Sequence, residues 1–179
     1  MSDRQCVLLI RGINVGGAKR VSMAELRALM ESLGCTQVKT LLNSGNAVFT
    51  RAPGSKGNEA SRIEAGLQSR LGVTARVVVL PRKDLDLIVK ENALVHRADD
   101  PARLQVVVAM DRKVLDQLHA LQAQSWGEEA LHVGSKAAYL WCPQGVIKSA
   151  LFKSVDRALG DSATARNWAT VQKLKALLE

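Results

Sequence analysis

Short segments that contain several apolar residues recur through the first half of the chain and predict β-strands. The runs fall within residues 6–11, 37–42, 47–50 and 75–80. The first run has no polar alternation, which is typical of a strand that is covered on both faces. Asn43-Ser-Gly-Asn46 separates the second run from the third, and its residue types tolerate positive φ, so this segment predicts a hairpin turn.

Between these predicted strands, apolar residues at helical spacing predict two helices. Ser22-Met-Ala-Glu25 has the pattern of a capping box and predicts a helix that ends at Gly34. Apolar residues at every fourth position from Ile63 to Leu71 predict a helix over 59–71. The resulting order, βαββαβ, is typical of a ferredoxin-like fold.

The pattern restarts after a connecting segment. Asp84 is expected to cap a connecting helix that reaches Asn92, and residues 98–101 are expected to form a linker. The later predicted elements are a strand at 104–109, a helix capped by Asp111, strands at 130–133 and 137–141 around Gly134-Ser135, and a helix through Leu151, Val155 and Leu159 that ends at Gly160. In place of a closing strand, residues 167–178 are predicted to form a final helix.

The sequence therefore predicts an α+β protein built from two related ferredoxin-like βαββα(β) halves in tandem. The second half is expected to be degenerate and to finish with the C-terminal helix. We expect an N-terminal half over residues 1–83, a connecting helix and linker over 84–103, and a C-terminal half over 104–179.

Charge divides the chain in the same way. The formal net charge is +8, and residues 1–83 carry 13 basic and 5 acidic side chains, whereas the remainder is balanced at 12 of each. A basic half of this kind favours phosphate-bearing partners such as a nucleotide or a nucleic acid. The alternative is that the excess charge serves solubility alone.

Composition excludes several classes of protein. No apolar run is longer than six residues, so no segment is expected to cross a membrane. Three widely spaced cysteines fit neither a disulfide framework nor a zinc knuckle, and the three histidines lack partners at metal-ligand spacing, so no metal site is predicted. We expect a reduced, cytoplasmic protein.

The strongest chemical candidate is the glycine loop, which we define as residues 12–20. It follows a strand, precedes a helix and is rich in glycine, a context in which backbone N–H groups bind phosphate. The candidate ligand-binding residues here are Arg11, Gly12, Asn14, Gly16, Gly17, Lys19 and Arg20. Neither the P-loop nor the dinucleotide spacing is satisfied, and a plain turn with solvated cations is the alternative.

Two further segments supply polar candidates. Asn43, Ser44 and Asn46 could present polar groups from the hairpin, although turn formation explains them equally well. In the last helix the candidates are Arg166, Asn167, Thr170 and Lys173. Asn167 also suits the N-cap of that helix, with Thr170 three residues further on.

Other chemistries find little support. His-Glu-x-x-His and Gly-x-Ser-x-Gly are absent, so catalytic residues and any cofactor stay unassigned. Aromatic residues make up only 3% of the chain, which disfavours recognition of single-stranded RNA by base stacking.

Four segments resemble one bacterial family. Arg11-Gly-Ile-Asn-Val-Gly-Gly17, Met23-Ala-Glu-Leu-Arg27, Asn43-Ser-Gly-Asn-Ala-Val-Phe49 and Thr164-Ala-Arg-Asn-Trp-Ala-Thr-Val171 are together similar to the family called domain of unknown function 1697. The likeness runs from about residue 5 to residue 178, and Asn43 stands where the family usually has Gln. The resemblance implies a compact α+β protein with related halves and implies no activity, ligand or catalytic residue.

Three functional hypotheses remain open. The first is a binding protein that holds a phosphate-bearing ligand, either a nucleotide or a nucleic acid, at the glycine loop. The second is an enzyme that acts on a phosphorylated small molecule. The third is a structural or oligomerising protein without a ligand, and an exposed strand edge in the neutral half would suit a homodimer.

Overall fold

The computed structural model describes residues 4–16 and 20–179. The chain divides into two compact units. Unit 1 comprises the residues up to Leu85 together with Leu174–Glu179, and unit 2 comprises Asp86–Lys173.

Unit 1 contains a four-stranded antiparallel sheet with two helices. Its elements are β1 (Gln5–Ile10), α1 (Met23–Ser32), β2 (Thr36–Leu41), β3 (Asn46–Thr50), α2 (Glu59–Leu71) and β4 (Val77–Pro81), and the strand order is β2-β3-β1-β4. The predicted βαββαβ half is confirmed. A further helix, α3 (Arg82–Lys90), follows directly and crosses from unit 1 into unit 2.

Unit 2 repeats this architecture. Its elements are β5 (Leu104–Ala109), α4 (His119–Gln122), β6 (Ala130–Val133), β7 (Ala137–Trp141), α5 (Ala150–Leu159) and β8 (Ala163–Asn167), with strand order β6-β7-β5-β8. The last helix, α6 (Trp168–Leu177), begins in unit 2 and ends in unit 1. The equivalent strand orders confirm the prediction of two similar α+β halves in tandem.

The prediction that unit 2 lacks a closing strand is wrong. Residues 163–167 form β8, which pairs antiparallel with β5 from Ala109↔Ala163 to Gln105↔Asn167. The segment mixes small, polar and basic residues, so no apolar run marks it, and pairing with the buried strand β5 determines its conformation. The final helix is present, but it begins after this strand.

Two smaller predictions about the connecting segments also need correction. Helix α3 begins at Arg82, so Asp84 lies in its first turn and is not its N-cap. Asp111 does cap the next helical segment by accepting a hydrogen bond from the backbone N–H of Lys113 (2.9 Å), but that segment is the 3₁₀ helix Arg112–Leu118.

Local signals define the ends of α1 and α2 as predicted. Ser22 Oγ accepts from the N–H of Glu25 (3.1 Å), and the N–H of Ser22 donates to the Glu25 carboxylate (2.9 Å), which completes the capping box. These hydrogen bonds lower the pKa of Glu25. Gly34 and Gly72 follow the two helices with φ of 86° and 64°.

The core of unit 1 lies between its sheet and these helices. Cys6, Leu8 and Ile10 of β1 belong to this core, together with Leu26 of α1 and Leu67 of α2. The alternate residues of β1 are also almost fully buried. The prediction that this strand is covered on both faces is therefore confirmed.

Candidate functional site

The glycine loop and the β2–β3 hairpin turn, defined as residues 42–45, lie at the same end of the unit 1 sheet. The N–H of Ile10, the last residue of β1, donates to the carbonyl of Gly45 (2.8 Å). The N–H of Arg11 donates to the carbonyl of Arg76, just before β4 (2.9 Å). The sheet therefore brings three connecting segments together around the start of the loop.

Close packing at Gly45 positions the hairpin turn against the loop. A Cβ on Gly45 would lie 2.8 Å from Ile10 Cβ and 2.9 Å from Ile13 Cδ1, and its φ is 78°. Only glycine fits this conformation without strain. Ile13 itself is 2% exposed and anchors the loop in the core of unit 1.

Asn14 holds the loop and the hairpin turn together. Its Nδ2 donates to the carbonyl of Val21 (2.8 Å) and to the carbonyl of Asn43 (2.6 Å), while its Oδ1 accepts from the N–H of Val21 (2.8 Å). Both amide hydrogens are thus used within the protein. Asn14 consequently shapes the loop, and it has no hydrogen left to donate to a ligand.

The sign of φ alternates along the loop. Gly12, Asn14 and Gly16 have φ of 70°, 58° and 54°, and the intervening Ile13 and Val15 have negative φ. Alternation of φ in this sense is a feature of anion-binding nests, in which successive N–H groups line one concave surface. Gly12 and Gly16 are exposed, and no described residue accepts a hydrogen bond from either N–H.

Cationic side chains surround this end of the sheet. Arg11 is half-buried and Arg20 is exposed. The carbonyl of Arg76 accepts from the N–H of Arg11, and the Arg76 side chain is partly neutralised by Glu64 (3.5 Å). Gly17 and Lys19 lie outside the described residues, so their predicted role in the site stays a prediction.

The polar residues of the hairpin mostly serve the turn. Asn46 is fully buried, and its Nδ2 donates to the carbonyl of Leu41 (3.2 Å) and to Ser44 Oγ (2.9 Å). Asn43 is exposed and provides the carbonyl that accepts from Asn14. These contacts favour the turn-forming interpretation over direct ligand binding for Asn46.

The Arg166–Lys173 candidates lie in unit 2, at the end of β8 and in the first turns of α6. Asn167 Oδ1 accepts from the N–H of Thr170 (2.9 Å), so Asn167 caps this helix as the spacing predicted. Arg166 Nη1 donates to Thr164 Oγ1 and to the Ala165 carbonyl (both 2.8 Å), and burial lowers the pKa of its guanidinium to about 10. Lys173 is exposed. A ligand role for this segment stays a prediction.

A separate cavity of about 380 Å³ lies at the opposite end of the unit 1 sheet. Its lining includes Gln5, Gln37, Thr50 and Leu178, and Gln37 has a φ of 53° at a bulge in β2. None of the predicted site residues contributes to it. No sequence motif marks this cavity, because the irregular strand pairing beside it has no local signature in the residue types.

The described residues, 4–16 and 20–179, contain neither a metal-binding cluster nor a membrane-spanning helix. There, no group of three or more His, Cys, Asp and Glu side chains is placed so that it could hold a metal ion. None of the helices described combines the length and the apolar character needed to pass through a bilayer.

Comparison with known proteins places the chain among conserved proteins without an assigned activity. The model of a family described as "Protein of unknown function (DUF1697)" matches residues 4–139. A solved structure of a conserved bacterial protein from Streptococcus pneumoniae is similar at 27% identity, with a TM-score of 0.80 over 98% of both chains. No curated protein matches. The Thr164–Val171 segment lies outside the family match but within a chain that aligns almost completely with that structure.

Proposed function

The chain belongs to the DUF1697 family of proteins of unknown function, and from its geometry we propose that it binds a phosphate-bearing ligand, a nucleotide or a nucleic acid, at the glycine loop. The ligand's phosphate oxygens accept hydrogen bonds from backbone N–H groups of the loop, among them Gly12 and Gly16. Arg11 and Arg20 neutralise its charge. A cytoplasmic location is part of this proposal.

One observation carries the proposal: the alternating φ of residues 12–16 beside two arginines. Phosphate binding needs N–H donors that the protein does not use itself. Gly12 and Gly16 are exposed, and neither N–H has an acceptor among the described residues. The excess positive charge of residues 1–83 attracts such a ligand over a longer range.

Calorimetric titration with inorganic phosphate, a nucleoside monophosphate and a short single-stranded oligonucleotide tests the proposal. We expect binding that weakens as salt rises, with a Kd of roughly 10⁻⁴–10⁻⁶ M for a non-specific oligonucleotide. Arg11→Ala/Arg20→Ala should weaken binding at least tenfold. Arg157→Ala, at an exposed arginine of unit 2, removes charge at an unrelated position and should have little effect. Equal losses in the two variants would contradict the proposal.

A structural role without a ligand is the second candidate, and specific contacts favour it. Asn14, Asn46 and Asn167 all use their side chains within the protein, to fix a loop, a turn and a helix start. On this alternative, Asn167→Ala lowers the melting temperature, and no phosphate compound raises it. A concentration-dependent rise in melting temperature with any phosphate compound would exclude this alternative.

A homodimer through a strand edge remains a separate proposal. Sedimentation equilibrium over a range of protein concentrations tests it, since a dimer has twice the 19.4 kDa mass of the chain.

A further inference from the structure

Two aliphatic side chains project into solvent beside the glycine loop. Val15 is 63% exposed and Leu42 is 53% exposed. Among the described residues of unit 1, no other large hydrophobic side chain is comparably exposed. Single exposed apolar residues are common on protein surfaces, so exposure alone does not indicate a function for Val15 and Leu42. Their position relative to the glycine loop does.

The two side chains belong to adjoining turns. Val15 follows Asn14, and Leu42 precedes Asn43. The Asn14 side chain donates to the Asn43 carbonyl at 2.6 Å and so joins the two segments next to the two aliphatic residues. The same loop carries the exposed N–H groups of Gly12 and Gly16. Two exposed aliphatic residues therefore lie on turns that are joined beside the proposed phosphate site.

The conformation of Leu42 is unfavourable for its residue type. Its φ is 57°, in the left-handed region that costs an L-residue such as leucine about 1–2 kcal/mol. Glycine or asparagine adopts this conformation more readily. Because Leu42 is exposed, burial does not offset the cost. The requirements of the turn thus do not explain a leucine here.

We propose that the ligand is an organic phosphate ester whose apolar group lies against Val15 and Leu42 while its phosphate accepts hydrogen bonds from the N–H groups of Gly12 and Gly16. This inference rests on the proposed function and adds to it that the organic group of the ligand is recognised as well as the phosphate. It predicts discrimination, because inorganic phosphate has no apolar group to cover the two side chains. The described residues of the loop and the hairpin turn include no aromatic side chain, so the contact is aliphatic and not π-stacking.

Competitive titration with inorganic phosphate, glycerol phosphate and phenyl phosphate tests this proposal. Covering about 50 Å² of apolar surface corresponds to about tenfold in affinity. We expect the wild type to bind phenyl phosphate about tenfold more tightly than inorganic phosphate, with glycerol phosphate close to inorganic phosphate. Val15→Ser/Leu42→Asn should reduce this preference to about twofold and leave inorganic phosphate binding unchanged.

The variants separate this inference from the proposed function. Asparagine tolerates the φ of residue 42, so the fold should be retained, and thermal unfolding checks that. Ile147→Ser is the control, since Ile147 is 84% exposed in unit 2. Equal affinity of the wild type for inorganic and phenyl phosphate would overturn this inference alone. No binding of these two compounds, of the nucleoside monophosphate or of the oligonucleotide would overturn the proposed function with it. Binding to anionic phospholipid vesicles without binding to phenyl phosphate would assign the aliphatic pair to a membrane surface and would also overturn the inference.

Discussion

Substituting Gly45 by alanine tests whether the hairpin turn and the glycine loop form one packed structure. Two costs add in Gly45→Ala. A left-handed φ of 78° costs alanine about 1–2 kcal/mol. Contacts of 2.8 Å to Ile10 Cβ and 2.9 Å to Ile13 Cδ1 force a shift in a well-packed core, which costs about 1–3 kcal/mol more. The expected loss of unfolding free energy is about 2–5 kcal/mol.

Gly54 provides a matched control for the conformational part of this cost. Its φ is 73°, nearly that of Gly45, but a Cβ there would meet no atom within 4 Å. Gly54→Ala should therefore cost only the conformational 1–2 kcal/mol or so. The difference between the two variants measures the packing of the hairpin turn against Ile10 and Ile13.

Urea denaturation and calorimetry measure both variants. About 1 kcal/mol corresponds to a shift of about 2–4 °C in melting temperature for a chain of this size. We expect Gly45→Ala to lose several degrees more than Gly54→Ala. If the two variants lose the same stability, the hairpin turn does not pack on the loop as described, and the geometry assigned to the site is refuted.

Three further predictions concern buried polar groups. Tyr139→Phe should cost about 1–2 kcal/mol in urea denaturation, because the buried hydroxyl donates to the Ile88 carbonyl (2.7 Å) and the substitution leaves that carbonyl unpaired; an unchanged midpoint would contradict this. Arg51→Met should lower the free energy of unfolding by about 3 kcal/mol, because it leaves the buried Glu59 carboxylate (4% exposed) without the guanidinium that lies 3.6 Å away. Adding Glu59→Leu should recover most of that loss. Burial raises the pKa of the Cys6 thiol to about 11, against roughly 8.5 in an unfolded chain. Because the unfolded state loses this proton first, the free energy of unfolding should fall as pH rises between these values. Cys6→Val should flatten that fall in unfolding measured at pH 8 and pH 10.5, and an equal fall would show that this thiol does not contribute.

Elements determined by neighbouring residues could be predicted from the sequence. The Ser22–Glu25 capping box and the Asn167 N-cap are visible as residue types at fixed spacing, and their hydrogen bonds form as expected. The strand β8 could not be predicted, because pairing with β5, far away in sequence, decides its conformation.

The candidate site also has one part that the sequence predicts and another part that depends on contacts between distant residues. Glycines in a strand-to-helix connection indicated the loop, but the partner of Asn14 across the hairpin, Asn43, follows only from the arrangement of the sheet. The sequence gives no signal that Leu42 adopts a positive φ, because leucine rarely does so. Local chemistry thus identified the segment, and long-range packing determines which of its groups face solvent.

The backbone amides of the loop give the most direct test of phosphate binding. In a ¹⁵N-labelled sample titrated with phenyl phosphate, the amide proton signals of Gly12 and Gly16 should move downfield and saturate with one common Kd, because these N–H groups donate to the phosphate. In Arg11→Ala/Arg20→Ala the same signals should need at least tenfold more phenyl phosphate to move equally far. Saturating shifts confined to residues elsewhere in the chain, with Gly12 and Gly16 unmoved, would contradict the assignment of the glycine loop as the phosphate site.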